Sequence, residues 1–183
     1  MTTSTSRLAP AERETKFLES VQQQTQNDSG AKAILKRALT DEPRHLRAAY
    51  PLVLPYLGGI QYHQDEWIFV ACLSAYYPQG LHRENRQTFG HSARRLTGEG
   101  SSKGADRRFR ALLDTSLEDL RSPLSALVRL MKSKDISIDY PQLLADLCRW
   151  EHPDQYIQDK WARAFWGAPS SQQEEQPSQN NDD

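Results

Sequence analysis

Little in this sequence supplies covalent or metal-borne rigidity. Two cysteines, Cys72 and Cys148, stand 76 positions apart in 183 residues. That excludes a disulfide framework, and the expected state is two buried thiols in a reducing compartment, the cytoplasm. Five histidines are present, but no pair has C-x-x-C or H-E-x-x-H spacing, so no metal site is expected and no other cofactor is implied. Long hydrophobic runs are missing as well. The longest uncharged stretches, 48–64 and 67–82, are both broken by proline, and neither supplies the ~18 consecutive apolar residues of a membrane helix. The opening Met-Thr-Thr-Ser-Thr-Ser-Arg has no apolar h-region, so no secretory signal is expected. Nor does one sign of charge dominate. Lys and Arg number 23 against 24 Asp and Glu, for a formal net charge of −1. Taken whole, that balance argues against a nucleic-acid partner.

What is present suits one folded domain. The chain is 37% apolar and 26% charged, and its length is enough to bury most of the unfolded surface in a single core. The expected boundaries are a disordered 1–9, one helical domain over 10–167, and a disordered acidic tail over 168–183. The tail has one small apolar residue, Ala168, and cannot offset its ordering entropy.

Within the body the apolar spacing is helical. Phe17, Leu18 and Val21 mark a first helix after Pro10. Ile34, Leu35, Ala38 and Leu39 mark a second, ending before Pro43, which can open a third through Leu46, Ala49 and Tyr50. Pro51 and Pro55 should kink or break that helix. Trp67, Val70, Ala71 and Ser74 share one face of a central helix closed by Pro78 and Gly80. Ser122-Pro123 reads as an N-cap with proline at the first helical position. Prolines at 141 and 153 place two more openings, lined by Leu143, Leu144, Leu147 and Cys148, then by Ile157, Trp161, Ala164 and Phe165. Trp150, Trp161 and Trp166 either cap this end of the core or anchor an interface. No alternating strand pattern or internal repeat appears. The expected fold is all-α: a compact bundle of about eight to nine helices, as one body or as two sub-bundles.

Catalytic patterns fail on inspection. Gly90-His91-Ser92-Ala93-Arg94 lacks the second glycine of a nucleophile elbow. Gly98 to Gly104 has Lys103 where a phosphate loop requires glycine. Its lysine and glycines can still meet a phosphate, although a flexible interhelical loop explains the same residues. The pairs Asp65-Glu66 and Glu118-Asp119 fall at helix starts, where the dipole accounts for them. No nucleophile, base and stabiliser assemble, so neither an enzyme nor a small-molecule substrate is expected.

The near-zero total conceals a division. Residues 29–50 carry a net +3, and residues 81–110 carry eight basic against three acidic residues, a net +5. Residues 111–183 carry a net −6. A local basic stripe can bind phosphates on a protein of neutral sum, or it can be a solvated face paired with neighbouring acids. In 89–96, Phe89, Ala93 and Leu96 make an inward stripe and turn Arg94 and Arg95 toward solvent. In 107–113, Phe109, Leu112 and Leu113 face inward and turn Arg107, Arg108 and Arg110 outward. Two short helices thus present arginines on either side of a Gly/Ser loop bearing Lys103. Arginine suits forked contacts to phosphate oxygens, which position a backbone without reading sequence. No exposed aromatic is interleaved with these residues, so base stacking has little support.

The sequence resembles CasB, the small subunit of the type I-E Cascade CRISPR surveillance complex, over about 14–166. The resemblance rests on Phe17-Leu18, on Gly30-Ala31-Lys32-Ala33-Ile34-Leu35-Lys36-Arg37-Ala38-Leu39, and on Ala48-Ala49-Tyr50-Pro51-Leu52-Val53. It continues through Leu73-Ser74-Ala75, Phe89-Gly90-His91-Ser92-Ala93-Arg94-Arg95-Leu96 and Arg107-Arg108-Phe109-Arg110-Ala111-Leu112-Leu113. Leu120 to Leu130 and Trp161-Ala162-Arg163-Ala164-Phe165-Trp166 complete it. It implies an all-helical, non-catalytic protein that pairs with a second copy. It also implies subunits of the CasA, CasC, CasD and CasE type as partners. The chain would help hold guide crRNA with target and non-target DNA as the R-loop forms in antiviral defence. Carried over by position, Lys36, Arg37, Arg94, Arg95, Arg107, Arg108 and Arg110 are candidate backbone contacts. Arg121 is a further one, unless it offsets Glu118 in its own turn. Two rivals stand beside this reading: a protein–protein adaptor whose arginines meet acidic surfaces, and a free-standing helical DNA-binding regulator.

Overall fold

A computed structural model describes residues 11–40, 42–98 and 102–167; the expectations for 1–9 and 168–183 lie outside the described residues. Nine α-helices appear among them, and no strand. They are α1 (Glu12–Asn27), α2 (Ser29–Arg37), α3 (Pro43–Val53), α4 (Gln64–Tyr76), α5 (Phe89–Arg94), α6 (Ser102–Leu113), α7 (Arg121–Ser133), α8 (Tyr140–Leu147) and α9 (Tyr156–Trp166). Short 3-10 turns follow α3 (Leu54–Tyr56) and α5 (Arg95–Thr97).

The axis of the molecule is α4, buried at every position from Trp67 to Ala75. A helix apolar all round must be surrounded, and α1, α2, α3, α7 and α8 all pack on it. The second concentration of contacts is the crossing of α5 on α9, joined by α6 against the 3-10 turn after α5. A single cluster of buried side chains runs from Phe17 to Phe165 through both regions.

Local chemistry sets the helix ends. The Asp28 carboxylate accepts from the Gly30 and Ala31 amides at 2.8 and 3.1 Å, capping α2. Asp139 caps α8 by accepting from Gln142 N at 3.2 Å, and Pro141 sits in that first turn as its spacing predicts. The buried Tyr140 hydroxyl donates to the Tyr77 carbonyl at 2.9 Å, satisfying the end of α4, and burial holds its phenol well above the usual range.

Several expectations are corrected here. Ser122 is not an N-cap: α7 begins at Arg121, with Leu120 before it and no side-chain cap. Pro123 falls inside the first turn, where amides lack intrahelical partners anyway. Pro153 lies in a turn, and α9 opens later, from Gln155 in the left-handed region (φ 49°). Lys103 and Gly104 belong to α6 and not to the preceding loop. Pro51 is carried within α3, and the break expected of the two prolines comes only at the 3-10 turn holding Pro55.

Two interactions lock the segment leading into α5. Arg86 Nη1 donates to the Leu81 carbonyl at 2.9 Å and to Asp139 Oδ1 at 3.0 Å, while Nη2 donates to Thr15 Oγ1 at 2.8 Å. The Asp139 side chain is fully buried and also accepts from the Gln87 amide at 3.1 Å. At Gly90, a Cβ would penetrate the Trp161 backbone carbonyl. Only glycine lets α5 lie this close to α9.

Candidate nucleic-acid interface

The arginines of α5 are fixed by what surrounds its ends. His91 Nδ1 accepts from the Thr88 amide at 3.2 Å, closing the helix start. The His91 imidazole is held below its usual range, first by partial burial. The positive charges of Arg95, Arg94 and Lys160 reinforce this, against the Thr88 hydrogen bond. Arg94 and Arg95 at the end of α5 and Lys160 on α9 thus all lie near this one imidazole. Lys160 is exposed on α9, and sequence reasoning misses it because periodicity singles out only the inward face of that helix.

The expected solvent orientation of Arg94 is corrected. It is half-buried, and its Nη1 donates to the Gly167 carbonyl at the C-cap of α9. Arg95 is exposed and touches Ser137 Oγ at 3.0 Å.

On α6, Ala105, Phe109 and Leu112 are buried, with Phe109 stacked on Phe165 at 4.2 Å between centroids. The i, i+4, i+7 spacing of Lys103, Arg107 and Arg110 sets them along the outer face, with Arg108 on a flank. Lys103, Arg107 and Arg108 are exposed and have no hydrogen-bond or ion-pair partner among the described residues. Arg110 differs. Its Nε donates to Asp106 Oδ2 at 2.7 Å, and its guanidinium lies 4.7 Å from the Trp166 ring centroid. Trp166 Nε1 donates to Asp106 Oδ1 at 2.7 Å. Those two hydrogen bonds hold the Asp106 carboxyl below the usual carboxylate range.

Trp166 remains 41% exposed, so an aromatic does border the basic residues, contrary to expectation. The pattern that hides it is local: it follows the buried Phe165, and its proximity to Arg110 exists only once α9 packs on α6. Trp150 and Trp161 instead lie in the core, 4.9 Å apart.

The remaining candidates sit elsewhere. Lys36 and Arg37 are exposed at the C-terminal turn of α2, where they complement the helix dipole. Arg121 lies over the Phe69 ring at 5.1 Å and makes no ion pair with Glu118. With Phe69 it lines a cleft beside Thr40, Pro43 and Leu46. Arg95 and Lys160 therefore lie near His91 at α5 and α9, Lys103, Arg107, Arg108 and Arg110 lie on the neighbouring α6, and Lys36, Arg37 and Arg121 belong to the junction of α2, α4 and α7.

No group of three or more His, Cys, Asp or Glu side chains among the described residues could hold a metal ion. No helix there is long and apolar enough to cross a membrane. Burial pushes both free thiols, Cys72 and Cys148, up to about 12.

Known proteins share this fold. The family model described as CRISPR-associated protein Cse2 matches residues 31–166. The CRISPR-associated protein Cse2 of Thermus thermophilus is 31% identical over 170 residues, covering 91% of this chain and 96% of its own. Among solved structures, CasB of M. ruber superposes with a TM-score of 0.72 at 32% identity, over 85% of this chain and 93% of that one. A chain of a structure described as a CRISPR RNA-guided surveillance complex has the same fold, with a TM-score of 0.70 at 22% identity, over 86% and 93%. The match to the family model over most of the chain, with the relative's identity along nearly its whole length, places this protein in the CRISPR-associated Cse2 family, to which CasB belongs.

Proposed function

We propose that this chain is a non-catalytic, cytoplasmic subunit of a type I-E Cascade effector that holds nucleic-acid backbone on its α5–α6–α9 face. It acts as one domain over 10–167, a reading supported by the continuous core from Phe17 to Phe165. It pairs with a second copy and contacts subunits of the CasA, CasC, CasD and CasE type. The observation that carries the reading is the set of exposed, unpartnered cations Lys103, Arg107 and Arg108 on one short helix. Forked guanidinium groups there meet phosphate oxygens of any sequence, which suits an assembly in which base pairing reads the target and protein stabilises backbones. Setting aside the four acids of 168–183, residues 1–167 are net +3. The isolated subunit therefore binds weakly, and binding strengthens when partners add their own basic surface.

The test is co-purification of guide RNA and candidate effector subunits with and without this chain, followed by target binding over a salt series. Expected is weaker target binding when the chain is omitted, and a uniform loss across unrelated sequences for Arg107→Ala with Arg108→Ala. Unchanged assembly and target binding without the chain would sink the proposal. A salt-independent contribution would instead identify a protein–protein adaptor, and a loss confined to one sequence a regulator.

A further inference from the structure

A groove with a different chemistry crosses the junction of α4, α7 and α8. Its floor is apolar: Phe69, Leu120 and Leu147 are buried beneath it, and Leu117 is partly buried beside them. Its rim is acidic, formed by Asp65, Glu66, Glu118 and Glu151, with Arg121 as its single cation. This cleft encloses about 320 Å³. Phe69 and Arg121 also wall a second cleft of about 170 Å³, which runs on to Leu39, Pro43 and Leu46. The acid of that second cleft, Glu42, is taken by Arg44 at 2.6 Å. The two clefts therefore make one groove with an acidic end and an apolar end.

The acids of the first cleft are not consumed by the fold. Asp65, Glu118 and Glu151 are exposed and have no hydrogen-bond or ion-pair partner among the described residues. Glu66 is mostly buried, and its Oε2 is a buried acceptor without a hydrogen bond, with His63 Nδ1 standing 3.6 Å away. A buried acceptor left unmade costs free energy that an incoming donor would recover. Helix dipoles explain only part of the set. Asp65 and Glu66 fall in the first turn of α4, but Glu118 lies three residues before α7 and Glu151 four residues beyond α8. Arg121 does not neutralise them, because its guanidinium lies over the Phe69 ring and makes no ion pair.

Four carboxylates around an apolar floor repel phosphate, and no group of His, Cys, Asp or Glu among the described residues could hold a metal ion. What complements the groove is a cation on an apolar stem. An arginine or lysine side chain has that chemistry, since its methylenes lie on apolar surface while its head group meets the carboxylates. We propose that this groove docks a segment of a partner protein: an arginine or lysine enters the acidic end, and a neighbouring apolar residue seats against Leu39, Pro43 and Leu46. The inference rests on the proposed function in taking that partner to be another subunit of the assembly, but docking itself is a property of the groove and needs no nucleic acid.

The test has two arms. In the first, the full chain is titrated with a short fluorescent peptide of leucine and arginine at about 50 mM salt, where exposed charges are weakly screened. Binding is expected to fall about fivefold for Glu118→Gln with Glu151→Gln, a factor set by two exposed charge pairs, without a parallel loss of duplex DNA binding. A peptide of glycine and arginine should bind more weakly than the leucine peptide. No binding, equal binding by the two chains, equal binding of the two peptides, or a parallel loss of DNA binding overturns the proposal.

In the second arm, the effector is assembled from guide RNA, candidate subunits and a chain carrying a benzophenone side chain in place of Leu117. Illumination should join that position to an arginine- or lysine-bearing segment of another subunit. Glu118→Lys with Glu151→Lys should cut the amount of chain retained by about tenfold or more, because like charges facing each other across an interface are strongly unfavourable. Full retention of that variant, or cross-linking to a second copy of this chain, to nucleic acid or to nothing, overturns the docking site. If the chain enters no assembly at all, the proposed function fails, and the peptide titration alone decides what the groove takes.

Discussion

Arg86 and Arg107 belong to the same basic stretch and count equally in its net +5, yet they do opposite things. Arg86 is 19% exposed at its side chain and joins three segments: α1 through Thr15, the crossing loop through Leu81, and the cap of α8 through Asp139. Arg107 reaches solvent with nothing bound to it among the described residues. One guanidinium is consumed by the fold; the other is left over for a partner. A charge sum cannot separate the two, because it takes no account of the buried acid that Arg86 neutralises.

The sharpest way to break that contrast is Arg86→Met. It leaves the fully buried Asp139 carboxylate without its cation, and removing one partner of such a pair costs about 3–5 kcal/mol. Denaturant unfolding should register that loss, while the molecules that remain folded should bind nucleic acid as before. A parallel fall in affinity per folded molecule would place Arg86 in the interface.

Gly90→Ala ranks next. The added methyl forces α5 away from the Trp161 carbonyl, and such overpacking costs about 1–3 kcal/mol. Because α5 carries Arg94 and the following Arg95, affinity should drop as well. Gly104→Ala is the control, since a Cβ there meets nothing within 4 Å. Inside a helix that change should stabilise by about 0.5–1 kcal/mol.

The double variant Arg107→Ala with Arg108→Ala should leave the unfolding midpoint nearly unmoved, within about 0.5 kcal/mol. Its log–log salt slope on duplex DNA should fall by about 0.9 for each phosphate it no longer neutralises.

The smallest effect concerns His91. Its native pKa lies below the ordinary value of 6.5, so the unfolded chain takes up the proton first. Stability therefore declines slightly as pH drops through 6.5 toward the native value. A bound phosphate offsets the charges of Arg95, Arg94 and Lys160 and raises that pKa. Affinity should accordingly increase from about pH 7 toward about pH 6, and His91→Gln should flatten the profile. A wild-type affinity constant over that interval would remove His91 from the interface.

Much of this molecule was legible in its sequence where one residue decides one local outcome. Asp139-Tyr140-Pro141 announces a capped start, and the inward spacing of Phe109 and Leu112 turns Arg107 and Arg108 outward whatever the helix packs against. The illegible parts depend on contacts made across the fold. Three helices, α1, α4 and α9, open from Ala11, His63 and Gln155 in left-handed backbone, and none of these residue types advertises a helix start. Lys160 joins the basic face only through the α5–α9 crossing. Arg94, outward by periodicity, is drawn onto the Gly167 carbonyl because α9 ends there. Trp166 escapes notice for the same reason.

The two thiols have a practical consequence. The thiolate is the reactive form of cysteine, and with pKa values pushed up to about 12 both Cys72 and Cys148 stay protonated at neutral pH. The folded wild-type protein should thus react slowly with maleimide-type reagents, Cys72 less than the half-buried Cys148. A single cysteine introduced on the outer face of α6 would be the fastest-labelling position. That makes the chain a ready background for fluorescent reporters, with accidental labelling of Cys72 serving as an alarm for unfolding.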